Sequence, residues 1–259
     1  MLGKVLKYDI KNCARYFIPL YLIFAAIVLI TKLYLFASPE SETVFHALSG
    51  LILSSYLFSL IGVFLLTEVF LVVYFYKKCI SREAYLTFTL PVKTGTHLLA
   101  KCLNCAVWHL LSFVLLFFSI FALFSLDDLQ VTFRMIGLLF SSRIPIDFSY
   151  TVVFLILTGI VYLFSYSLIF YAPMAMGQVV TRHKILASVG IYIAFYIIFS
   201  LVSSFGSTFL LIGTEVISHG DATARLTVLS AFLFFLALAQ AVLYYVLTYF
   251  FLSRKLNLT

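Results

Sequence analysis

Six predominantly apolar blocks, each of about 20 residues or more, divide this chain. They are Phe17–Phe36, Leu48–Tyr76, Leu103–Leu126, Tyr150–Tyr171, Ile185–Ile212 and Thr227–Leu252. In hydrocarbon every backbone polar group must be satisfied from within, and a helix does this in a single segment. Strands of a membrane barrel need only about 10 residues, with strict alternation; the blocks show neither that length nor that rhythm. The expected fold is therefore all-α: a polytopic membrane protein with six transmembrane helices. It forms one transmembrane domain over residues 1–259. The chain is 64% hydrophobic and 10% charged, against about 25% charged in a soluble domain, which excludes a soluble globular protein. The second and fifth blocks exceed the minimum, and either tilt or extend beyond the bilayer.

Charge sets the expected orientation. With both termini in the cytoplasm, the inner segments hold Lys4, Lys7, Lys11, Arg15, Lys77, Lys78, Arg82, Lys93, Lys101, Arg182, Lys184, Arg254 and Lys255. These are 13 of the 17 basic residues, the bias that positive-inside topology requires. Glu40, Glu42, Asp127, Asp128, Asp147, Glu215 and Asp221 fall outside with Lys32, Arg134, Arg143 and Arg225. The net charge of +7 then reads as a collar on the inner leaflet of the cell membrane. No nucleic-acid partner is expected, because no soluble segment carries a basic stripe with interleaved aromatics. The first apolar run is too long for a signal peptide, and Leu35-Phe36-Ala37 makes a poor cleavage site, so this block is kept as a span.

Chemistry-bearing motifs are scarce. There is no GxxxxGK[ST] phosphate loop, no HExxH and no GxSxG elbow. No catalytic residue, bound cofactor or metal site is therefore expected, and any ATP must be bound by another chain. Cys13, Cys79, Cys102 and Cys105 all fall on the reducing, cytoplasmic side of this topology, so free thiols are expected. Cys102-Leu-Asn-Cys105 is a lone pair; without a second pair it reads as small residues where a helix begins. Asn257-Leu-Thr259 matches a glycosylation pattern but falls at a cytoplasmic end, and is read as chance.

Two inner segments exceed what a connector needs. In residues 1–16, Leu2, Val5, Leu6 and Ile10 recur at helical spacing between Lys4, Lys7 and Lys11. That pattern predicts an amphipathic helix in the inner interface, with Pro19 marking a change of direction; the plainer alternative is a basic flank that sets topology. The loop 77–101 opens on Lys77-Lys78. Ser81 can cap a short helix with Glu83 in its first turn. This helix would carry Tyr85, Leu86 and Phe88 and stop near Leu90, because Pro91 forces its predecessor to an extended conformation. Thr94-Gly95 reads as a turn, and Thr96 as the cap of the third span. Exposed aromatic and aliphatic side chains here predict a partner surface, or else contact with the inner leaflet.

The run Arg82-Glu83-Ala84-Tyr85-Leu86-Thr87-Phe88-Thr89-Leu90-Pro91-Val92, followed by Leu98-Leu99-Ala100-Lys101, resembles the permease subunits of bacterial type-2 ABC exporters. Those chains have a similar stretch between the second and third of six spans. They also tend to begin with a basic amphipathic segment, like Lys7-Tyr8-Asp9-Ile10-Lys11 here. The motif covers about twenty residues, and the six-span layout covers the whole chain. Ala84 stands where relatives often have Gly. The resemblance implies an N-terminal elbow helix and a coupling helix formed around Arg82, Glu83, Tyr85, Leu86, Phe88, Leu90 and Pro91. It also implies a separate ATPase subunit carrying ATP and magnesium, and a second membrane subunit, identical or homologous.

Polar residues within the apolar blocks complete the reading. Glu68 is the only acidic residue deep in a span; such groups usually face protein or water. It lies nine residues before Lys77, and His109 lies eight residues after Lys101. Adjacent antiparallel spans would set the two at similar depth. They either pair or share a cavity, or the second helix extends below the bilayer and leaves Glu68 near headgroups. Trp108, the sole tryptophan, is expected to anchor at the interface. Pro173 with Gly177 predicts a kink at the inner end of the fourth span, before a second inner loop from Gln178 to Lys184. The outer segment Asp127–Asp147 is apolar enough to form a re-entrant or interfacial element.

The expected function is that of the membrane half of an ATP-driven exporter. The alternative is a non-transporting immunity or sensor protein that binds a peptide. A secondary transporter or intramembrane enzyme would want more intramembrane ionisable groups than Glu68 and His109.

Overall fold

The computed structural model describes residues 2–37, 43–81, 83–85, 89, 92–123, 130–131, 134, 146–180, 182–217 and 222–254. Among these there is no strand. The helices are α1 (Leu2–Ala37), α2 (Thr43–Cys79), α3 (Thr94–Leu123), α4 (Ile146–Ser165), α5 (Leu168–Gly177), α6 (Lys184–Ile217) and α7 (Ala222–Arg254). Six helical stretches are long and apolar enough to cross a membrane, with α4 and α5 together forming the fourth. The six apolar blocks of the sequence each fall within one of these stretches or extend it by a few residues.

The helices form two groups. α1, α2 and α3 pack on one another; α7 packs on α4, α5 and α6, and α5 also packs on α6. α3 joins the groups through α4 and α7, and α2 joins them through α5. The main buried cluster gathers at the end that carries Lys77, Lys101 and Arg254. It includes Phe17, Phe75, Leu98, Trp108, Tyr171 and Tyr244. A smaller cluster of Phe24, Tyr56 and Val63 lies farther along α1 and α2. By contrast α6 leaves Ile185, Tyr196, Phe205 and Phe209 exposed, as a lipid-facing helix does.

Apolar burial drives helix association weakly in lipid, so close packing and interhelical hydrogen bonds must hold such helices together. A relay of hydroxyls does this across the first group. Thr67 on α2 donates to the Val63 carbonyl at 2.7 Å. Its oxygen meets Ser112 Oγ on α3 at 2.9 Å, and Ser112 Oγ meets the hydroxyl of Tyr21 on α1 at 2.7 Å, which also reaches the Trp108 carbonyl at 3.3 Å. Tyr56 and Ser119 add a second α2–α3 contact at 3.1 Å. In the second group Thr151 and Thr227 join α4 to α7 at 2.8 Å. Interhelical hydrogen bonds of this kind average about 0.6 kcal/mol each, so the set matters more than any member.

Several expectations need correction. Residues 2–16 do not form a separate element: α1 runs unbroken through Pro19. Membrane helices tolerate proline because neighbours satisfy the freed backbone groups. Here Asp9, Cys13, Phe17 and Phe24 are all buried, so one face of α1 is held on both sides of the proline. α3 begins at Thr94, two residues before the expected cap at Thr96, with Thr96 and His97 N–H both donating to the Lys93 carbonyl. The fourth span is interrupted at Tyr166-Ser167, and Pro173 lies inside α5. Trp108 does not face outward as a lipid anchor would. It is buried and stacked on Phe17, centroids 4.4 Å apart, with its Nε1–H donating to Asn104 Oδ1 at 3.2 Å. Of the outer segment Asp127–Asp147, all but residues 130, 131, 134 and the start of α4 lies outside the described residues.

Candidate functional site

Two buried charge clusters and one loop carry the polar chemistry. The first cluster joins the middle of α2 to α3 and the interrupted fourth span. Glu68 on α2 lies 2.8 Å from His109 Nε2 on α3, and both side chains are more than nine-tenths buried. The Cys105 carbonyl, one turn back on α3, lies 2.9 Å from His109 Nδ1. Ser167 Oγ donates to Glu68 Oε2 at 3.4 Å. Tyr166 presents its ring edgewise to the His109 ring, with centroids 5.8 Å apart.

The helix break shapes this cluster. Around it the backbone bonds tighten: Ile169 N–H donates to the Tyr166 carbonyl, and Phe170 N–H to Ser167, each an i→i−3 pair. Such 3₁₀-type turns inside a helix commonly mark hinges or functional sites. Here the turn sets Ser167 against Glu68 and Tyr166 against His109. Below it, Tyr171 stacks on Phe75 at 3.7 Å between centroids, and its hydroxyl meets Cys105 Sγ at 2.8 Å.

The second cluster ties α1 to α2 and α3. Lys101 Nζ donates to Asp9 Oδ1 at 2.7 Å, and Tyr74 O–H donates to the same oxygen at 2.6 Å. Lys101 also sits over the Tyr74 ring, 4.5 Å from its centroid. Both ions are buried, at 6% exposure for Asp9 and 3% for Lys101. The sequence reading missed this pair. Its partners are 92 residues apart, and each sits in a basic flank that topology alone explains. The available signal was Asp9 itself, the only acid among the first 39 residues.

The loop that follows α2 is anchored near its start. Lys78 Nζ pairs with Glu83 at 2.9 Å. This hydrogen bond, together with the Lys78 charge, holds the Glu83 carboxyl below its usual range. Ser81 Oγ accepts from Glu83 N–H at 3.4 Å, the geometry of a loose cap. Ala84 is fully buried, while Tyr85 is 65% exposed. Arg82, Leu86, Phe88, Leu90 and Pro91 lie outside the described residues. Beside this anchor a cavity of about 340 Å³ opens between α1 and α2, lined by Asn12, Arg15, Tyr16, Lys77, Lys78 and Glu83 among others.

No family model, curated protein or solved structure matches this chain.

All four cysteines are buried free thiols. Cys102 and Cys105 form no bond to each other, and Cys105 is engaged with Tyr171. Among the described residues, no group of three His, Cys, Asp or Glu side chains is arranged to hold a metal ion.

Proposed function

We propose that this chain is the membrane-spanning subunit of an ATP-driven exporter in the cell membrane, acting with a separate ATPase subunit and a second membrane half. In this reading both termini and the loop 77–101 face the cytoplasm. The loop's short helical turn docks on the ATPase through Arg82, Glu83, Tyr85, Leu86, Phe88, Leu90 and Pro91. The carrying observation is the exposed Tyr85, on a turn fixed by Ser81 and by the Lys78–Glu83 pair. An aromatic side chain held out on an anchored turn fits a docking contact. The resemblance of residues 82–92 to a coupling segment supports the same assignment.

The loop also has a route into the spans. It leaves α2 at the Lys78–Glu83 anchor and returns through α3, where Lys101 is bound to Asp9 of α1 and packed on Tyr74 of α2. A push on the loop is thus delivered to three helices together. Substrate binds and crosses among the spans, and this chain carries no hydrolytic chemistry of its own.

Purification in mild detergent, with any neighbouring open frame that carries GxxxxGK[ST] co-expressed, tests the proposal. The parent chain is expected to retain the ATPase, and Tyr85→Asp with Phe88→Asp to release it while leaving the membrane fold intact. An unaltered complex in the double variant overturns the docking assignment. A parent that retains no ATPase returns the chain to the sensor or immunity class.

A further inference from the structure

The His109 ring is engaged at both nitrogens, and this fixes a proton count. Nδ1 lies 2.9 Å from the Cys105 carbonyl oxygen, and Nε2 lies 2.8 Å from Glu68 Oε2. A carbonyl oxygen can only accept, so the first contact requires a proton on Nδ1. A neutral ring protonated there offers only a lone pair at Nε2, and an ionised carboxylate offers only lone pairs as well. The second contact therefore requires a further proton, on Nε2 or on Oε2. Moving the ring proton to Nε2 does not help, because Nδ1 would then face the carbonyl with a lone pair. Two contacts need two protons, whereas a neutral imidazole and a carboxylate bring one.

We infer that Glu68 and His109 form a one-proton binding site that latches α2 to α3 beside the break in the fourth span, and that release of the proton opens the latch. With the proton bound, the pair is neutral overall, either as imidazolium with carboxylate or as imidazole with carboxylic acid. Release sends one proton to solvent and leaves one negative charge, with lone pairs opposed either at Nε2 and Oε2, 2.8 Å apart, or, when the ring proton moves to Nε2, at Nδ1 and the Cys105 carbonyl, 2.9 Å apart. A buried charge without a partner is costly. The pair relieves that cost by separating and admitting water to the carboxylate.

The surroundings supply no substitute for the proton. Glu68 Oε1 is buried without a hydrogen-bond partner. Ser167 reaches only Oε2, and weakly, at 3.4 Å. No lysine or arginine forms an ion pair with Glu68 among the described residues. Among the described residues, the other titratable groups facing the pair are Cys105 on α3, Tyr166 at the break and Tyr171 on α5. Free thiols and phenols keep their protons up to about pH 8.5 and 10, so none of the three is a base competing for it. The break gives the latch something to release: opening it frees the 3₁₀ turn at Tyr166-Ser167 that now packs on both partners. The inference holds with or without an ATPase partner.

The test uses the full chain in lipid nanodiscs. Glu68→Gln is the discriminating variant, because its amide donates a proton of its own to Nε2 of a neutral ring. The unfolding constant of the parent should rise by up to about tenfold per pH unit where the folded chain holds the proton and the unfolded chain does not. The profile should flatten once the contact opens, and Glu68→Gln should lack this rise. His109→Gln, whose amide donates to the carboxylate, takes the same role if Glu68→Gln fails to fold. Nitrogen-15 spectra of labelled histidines, with His109 assigned by its loss in His109→Gln, read the ring directly in the parent. Carbon-13 spectra of the Glu68 carboxyl complete the count. Two protons on the closed pair are expected. One proton on ring and carboxyl together with α2 and α3 still in contact overturns the inference, as does a Glu68→Gln profile matching the parent's.

Discussion

Replacing Lys101 by methionine removes the ammonium group while keeping an unbranched side chain of similar length. Asp9 would then retain only the Tyr74 hydroxyl, on the same oxygen that now takes both bonds. Its other oxygen is already without a partner. The pair is almost fully enclosed, with side-chain exposures of 4% and 8%, so solvent would screen the orphaned carboxylate little. Breaking such a pair from one side costs roughly 3–5 kcal/mol. Adding Asp9→Asn removes the stranded charge, and the asparagine carbonyl still accepts from Tyr74. The double variant should therefore recover part of the loss, with a coupling of about 1–3 kcal/mol. Trp108 provides the assay. It is the sole tryptophan, it is buried against Phe17, and it lies two turns along α3 from Lys101, about 10 Å at the helical rise. Its emission reports the α1–α3 seam that the ion pair closes. Unfolding by a denaturing detergent, followed at that emission, should shift to lower denaturant in Lys101→Met and partly return in the double variant. A single variant within about 0.5 kcal/mol of the parent, with an additive double, would refute the claim that this pair holds the seam.

Gly177→Ala should weaken the junction of α5 with α6, because a Cβ there would stand 2.8 Å from the Lys184 carbonyl oxygen and 2.9 Å from Ser188 N. Backbone cannot yield as a flexible side chain does, so the expected loss is about 1–3 kcal/mol in the same detergent titration, and an unchanged midpoint would contradict the close approach. Glu83 gives a pH signature outside the spans. Lys78 lowers its folded value, so its contribution is complete above the ordinary carboxylate value of about 4.3 and is lost as pH falls through the folded value. Carbon-13 titration of the Glu83 carboxyl should move up toward the ordinary range in Lys78→Met, whereas an identical titration in both proteins would dissolve the anchor.

The spans were legible because lipid imposes one rule on every residue of a segment, and an apolar run long enough to cross can be read locally. The Glu68–His109 juxtaposition was legible for a related reason. Each lies eight or nine residues from a basic residue that marks the same end of its helix, and antiparallel neighbours with equal offsets meet at equal depth. Trp108 shows the limit. Tryptophan often faces outward as a lipid anchor, but here Phe17 of α1 covers its ring face and Asn104 takes its N–H inside the bundle, so the ring's direction was decided by a helix far away in sequence. Pro19 and Pro173 mark sites that are weak in an isolated helix, yet neither breaks its helix in the packed structure. The break falls instead at Tyr166-Ser167, where the residues themselves give no strong turn signal but Glu68 and His109 offer contacts to both side chains.

The sequence alone determined that the chain is helical, that it has six spans, and which ends of those spans are basic. These follow from summed apolarity and charge, which need no knowledge of neighbours. Only the tertiary structure decided which polar groups meet. Asp9 with Lys101, and Glu68 with His109 and Ser167, are brought together by helix packing across 41 to 99 residues of chain. A buried charge must find its partner in three dimensions, because the medium around it supplies none.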